Sequence, residues 1–189
     1  MSEFMGDRRR GLEDAFFAEQ DAVLRRRLSE ADTARTQKDV FRAASGIHDE
    51  AVLDRLKGMG IGADTLTALS LVPCVVVAWA DGGIDAKERA AALQAAEQAG
   101  VTTGTPAFQM FESWLNKKPG PDLLAAWKGY VAALLPTLDD AARQALRTGL
   151  LERARAVASA SGGFMGVGRT VSGAEQTVMQ DLEQALAAG

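Results

Sequence analysis

The chain has 189 residues, 47% of them hydrophobic and 24% charged, enough apolar material to fill one domain-sized core and leave an appendage. With 21 Lys and Arg against 25 Asp and Glu, the formal net charge of -4 provides no basic footprint for nucleic acid. The single Cys74 excludes an internal disulfide, no apolar run reaches the roughly 18 residues of a membrane span, and the amino terminus carries no secretory apolar stretch, so a cytoplasmic protein is expected.

The first element in chain order is an amphipathic helix with Leu12, Phe16, Val23, Leu24 and Leu28 on one face and Glu13, Glu19 and Arg26 on the other. Phe16 and Phe17 together with Arg8, Arg9, Arg10, Arg25, Arg26 and Arg27 suit a partner groove or an acidic lipid surface, and the interleaved Glu13, Asp14, Glu19 and Asp21 weaken the lipid version. Two shorter helices follow near residues 37–44 and 49–59, and Gly58, Gly60 and Gly62 end the second. GMGIG has part of a dinucleotide fingerprint, but without a preceding strand it reads as a helix terminus and a turn. His48 has no second histidine with which to share a metal and belongs near a helix start.

Residues 65–80, TLTALSLVPCVVVAWA, are nearly all apolar and predict a central buried helix that places Leu69, Val72 and Val76 inside. Pro73 either kinks that helix or marks its junction with a preceding turn. Cys74, among apolar neighbours, reads as a buried thiol rather than a nucleophile. A helix over 86–99 ends at Gly100, and Thr105 with Pro106 caps the next, which carries Phe108, Phe111, Trp114 and Leu115 on its apolar side. Beyond KKPGPD, Leu123, Leu124, Trp127, Val131 and Leu134 mark one face of a further helix. The last pair begins with Thr137 and Asp140 as a capping pair, runs to about Ala160, and resumes over 173–187. Strand signals stop at the short VVV of 75–77, so the expected architecture is an all-α single domain of seven to eight helices in antiparallel pairs. Residues 1–46 would form an amino-terminal extension and 47–189 the domain.

One turn carries chemistry. WADGGIDAKE follows the second half of an EF-hand loop: Asp81 and Gly82 take the fifth and sixth places, Asp85 the ninth and Glu88 the twelfth. Val77 and Trp79 occupy the first and third places and supply no side-chain oxygen, so three carboxylates and a carbonyl near Gly83 fall short of the roughly six to eight oxygens calcium prefers. Asp85 and Glu88 also form a helix capping box, with Gly82 or Gly83 ending the preceding helix in a left-handed conformation. Capping leaves Asp81 unexplained, because a negative charge at a helix carboxyl end opposes the macrodipole. Both readings stay open: a capped helix connection, or a weak divalent-cation site at Asp81, Asp85 and Glu88.

The pattern recurs. Ser161, Gly162 and Gly163, then Val171, Ser172, Gly173 and Glu175, repeat its order around an insertion at 164–170, with serines where the first copy has Asp81 and Asp85. Capping is retained and the ligand set is not. The insertion makes GFMGVGRT match the spacing of a phosphate loop with Arg169 in the lysine place, but the flanking elements are wrong and no nucleotide is expected.

At VVVAWADGGIDAKERAAALQAAEQAGV, and above all at Asp81-Gly82-x-Ile84-Asp85-x-x-Glu88, the chain resembles the tellurite-resistance TerB-like family over residues 49–187. That resemblance implies a helical domain associated with divalent-cation binding and metal stress rather than with a reaction. The expected function is therefore non-enzymatic, through protein partners that include membrane-bound ones. The competing expectation is a metal-independent interaction module that uses the amino-terminal amphipathic helix. No histidine dyad, activated nucleophile or nucleotide loop supports an enzyme.

Overall fold

The computed structural model describes residues 35–44, 46–160 and 171–187. Among them are eight α-helices, two 3-10 segments and no strand, so the all-α expectation holds. The helices are α1 (35–44), α2 (Glu50–Gly58), α3 (Val72–Ala78), α4 (Ala86–Gln98), α5 (Pro106–Asn116), α6 (Pro121–Leu134), α7 (Asp140–Ala160) and α8 (Gly173–Ala187). The amphipathic helix expected near the amino terminus, with its phenylalanines and arginine clusters, and the GFMGVGRT insertion lie outside the described residues. The chain divides into two compact units, Met1–Val40 and Phe41–Gly189. Phe41 and Ile47 are both buried in the core of the second unit, which draws its boundary before Phe41.

Local signals account for most helix ends. Asp49 caps α2 by accepting from the Val52 N–H at 3.1 Å. At the other end Gly60 adopts φ +75°, the Gly60 N–H reaches the Lys57 carbonyl at 2.9 Å, and the Ile61 N–H reaches the Leu56 carbonyl at 3.0 Å. That is a Schellman stop, and it assigns the GMGIG glycines to helix termination.

The apolar segment expected as one helix is two. Ala63–Leu71 is 3-10 and α3 begins at Val72, with Pro73 in its first turn, where a missing N–H leaves no helical bond unmade. Proline thus marks a junction, not a kink. Leu69, Val72, Cys74, Val75 and Val77 are buried and Val76 half-buried. The 3-10 segment, α4, α6, α7 and α8 all pack on α3, which makes this seven-residue helix the centre of the core. No single described helix is long and apolar enough to cross a membrane; α2 and Ala63–Ala78 pass that test only as a pair bent by 88°.

Thr105 caps α5 by accepting from the Phe108 N–H at 3.2 Å, and Phe111 and Leu115 are buried. On α6 the buried face is Leu123, Ala126, Trp127 and Val131. The start of α7 departs from the expected Thr137 cap. Thr137 belongs to a 3-10 turn, Leu135–Thr137, and its hydroxyl donates to the Leu134 carbonyl at 2.7 Å. Asp139 holds the first turn instead, accepting from the Ala142 N–H at 2.7 Å.

Candidate functional site at two buried helix starts

The turn after α3 is built by the chain around it. Trp79 donates its indole N–H to the Trp114 carbonyl at 2.9 Å, and Lys118 Nζ donates to the Trp79 carbonyl at 3.2 Å. Arg89 binds the same end of α5 through the Leu115 carbonyl at 3.4 Å and Asn116 Oδ1 at 2.8 Å. Gly82 then reverses the chain at φ +102°, a region that a Cβ makes costly. Lys118 is the cation that the carboxyl end of α3 attracts. Asp81 itself is exposed.

Across the turn, the capping box is complete. Asp85 Oδ1 accepts from the Lys87 N–H at 2.7 Å and the Glu88 N–H at 2.8 Å, while Glu88 Oε2 accepts from the Asp85 N–H at 2.7 Å. The second copy repeats it. Ser172 Oγ accepts from the Glu175 N–H at 3.1 Å, and Glu175 Oε2 accepts from the Ser172 N–H at 2.6 Å. Capping therefore accounts for one oxygen of each glutamate.

It does not account for the other. Glu88 is 2% exposed and Glu175 1%, the buried charged side chains among the described residues. In both, Oε1 is buried with no hydrogen-bond partner. A buried acceptor left unmade costs about 1–3 kcal/mol, and more when charged. The half-exposed Asp181, by contrast, meets a cation through both oxygens, with Lys128 Nζ at 2.6 and 2.7 Å.

The charge of Glu175 also reaches Glu88. Burial pushes the Glu88 carboxyl above the ordinary glutamate range against the lowering effect of the Asp85 N–H, and the charges of Asp85, Asp81 and Glu175 push it further. The structure thus brings Asp81, Asp85 and Glu88 within electrostatic reach and adds Glu175. No set of three or more His, Cys, Asp or Glu side chains among the described residues is grouped to hold a metal, and Asp85 Oδ1 is committed to capping. What the arrangement can accept at Glu88 and Glu175 is a proton or a hard cation.

The other candidates fall away. Cys74 is buried and free, and desolvation pushes its thiol up to about 12 against the opposing charge of Arg153. His48 is exposed beside the Asp49 cap. Comparison of the chain with protein families, curated proteins and solved structures finds no match, so the TerB-like resemblance rests on the acid-glycine turn and its echo.

Proposed function

We propose that this chain is a non-enzymatic, TerB-like protein that takes up a divalent cation weakly at the start of α4 and passes the bound state to protein partners in metal stress. The observation that carries the reading is the buried, unpartnered Oε1 of Glu88, set among the charges of Asp81, Asp85 and Glu175. Glu88 and Glu175 would hold the ion, with Asp81 and Asp85 adding negative potential. The ion would supply charge neutralisation and a link between elements.

A pair of protein oxygens with the balance from water gives a dissociation constant of about 10⁻⁴–10⁻³ M, the weak end for oxygen-ligated sites. At several times that concentration, mass action adds roughly 1 kcal/mol, a rise of about 2–4 °C in Tm for a chain of this size. Calorimetric and thermal titrations of the full chain against calcium, magnesium, manganese and zinc check this. Heat and a Tm rise with at least one ion are expected. No heat and no shift with any of the four at millimolar concentration would overturn the reading.

A further inference from the structure

At the end of α4 remote from Glu88, a cavity of about 260 Å³ opens between the 3-10 segment Ala63–Leu71, α6 and α7. Its floor is closed, because Leu69, Trp127, Val131 and Leu150 are buried, and its rim is half-buried, with Leu66, Thr67, Tyr130 and Leu146. One wall follows from the 3-10 backbone. At three residues per turn, Leu66 stacks over Leu69 and Thr67 over Ser70, so an apolar row and a hydroxyl row run side by side. Nine residues is long for a 3-10 run, which seldom exceeds about four, and these four side chains of the nine all line the cavity.

The lining selects by charge and by shape. Among the described residues no charged side chain lines the cavity, so an ion drawn into it would lose its hydration and gain no counter-charge. Ser70 Oγ donates to the Thr67 carbonyl at 2.8 Å, whereas the Thr67 and Tyr130 hydroxyls have no hydrogen-bond partner among the described residues. Burial raises the Tyr130 hydroxyl above its ordinary range, which keeps it a neutral donor and acceptor at pH 7. Trp127 and Tyr130, three residues apart on α6, turn two rings to the same side. The volume exceeds the roughly 150 Å³ that takes a benzene ring and falls below the roughly 300–1,000 Å³ of drug-sized pockets. We propose that this cavity binds a small, uncharged aromatic molecule of one or two fused rings carrying a single hydroxyl or N–H. The rings lie among Leu69, Trp127 and Leu150, and the polar group meets the Tyr130 hydroxyl at the rim. The site is separate from the cation reading, since Ala99 in its lining is about 16 Å along α4 from Glu88.

Titration of the full chain with indole, followed by calorimetry and by side-chain methyl NMR signals, tests this. One indole per chain is expected, with a submillimolar dissociation constant and shifts concentrated at the Leu66, Leu69, Val131 and Leu150 methyls. Indole-3-carboxylate is expected to bind roughly tenfold or more weakly than indole, because no cation meets its charge. Leu146→Trp, which fills the rim with a ring of its own, is expected to weaken indole binding by a similar factor, and a cooperative melt shows that this variant folds. Tyr130→Phe keeps the ring and removes only the hydroxyl, with an expected loss of about threefold. Unmoved cavity methyls at the solubility limit of indole, equal affinity for the carboxylate, or wild-type affinity in a folded Leu146→Trp or in Tyr130→Phe would each overturn the proposal. Should Leu146→Trp fail to fold, the carboxylate comparison and Tyr130→Phe decide.

Discussion

Glu88 sits where a carboxylate is least at ease, 2% exposed with one oxygen unpartnered and three acids in electrostatic reach. Its carboxyl is raised above the unfolded value, so the folded chain holds this proton more tightly than the unfolded chain. The resulting stabilisation is fully present below the ordinary glutamate range and is lost as pH rises through the folded value. In chelator, the Tm of the wild type is therefore expected to rise as pH falls from neutral toward the upper edge of the glutamate range, relative to Glu88→Gln, which removes this titration. Parallel Tm–pH curves for the two proteins would show that Glu88 is not strained. Cys74 offers a second expectation: with its thiol at about 12 and no exposure, it should react with a disulfide reagent at pH 8 only at the rate of unfolding. Fast labelling of the native chain would contradict its burial.

At the scale of elements, sequence reading succeeded where one residue decides a helix end. Gly60, Thr105 with Pro106, and Ser172 each do so through their own local chemistry, and their helices lie where that chemistry puts them. It failed at Ala63–Leu71, because apolar composition does not distinguish 3-10 from α packing, and at α7, where Asp139 and Thr137 offered rival caps two residues apart. The acid-glycine turn divides its glycines by conformation. Gly82→Ala should cost about 1–2 kcal/mol in urea denaturation, because φ +102° strains an L side chain, whereas Gly83→Ala meets open space without that strain and should change little. Equal costs at the two positions would show that the turn is not held as described.

At the scale of the whole molecule, the fold class was legible and the site only half so. Periodicity exposed an all-α chain, and the echo of Asp85 and Glu88 in Ser172 and Glu175 exposed two capping boxes. That the two glutamates come within electrostatic reach of each other, almost half the chain apart, follows from tertiary packing around α3, which no local pattern encodes. Exposed Asp81 drew the sequence reading toward the turn, and Lys118, from beyond α5, already serves the helix end that Asp81 seemed to leave wanting. The boundary before Phe41 carries its own expectation. Deleting residues 1–40 should leave a cooperatively melting chain, while Phe41→Ala in the full chain should cost roughly 3–5 kcal/mol, as losing a core aromatic does. Loss of the transition on deletion, or an unchanged Tm for the substitution, would move that boundary.

The central claim, that Glu88 and Glu175 hold one divalent cation, is met most directly by crystals of the full chain grown with manganese and measured at its absorption edge. The account expects one anomalous peak per chain, within about 2.0–2.6 Å of both Oε1 atoms. Either no peak at the pair, or a peak confined to exposed Asp81 with Glu175 uninvolved, would contradict it.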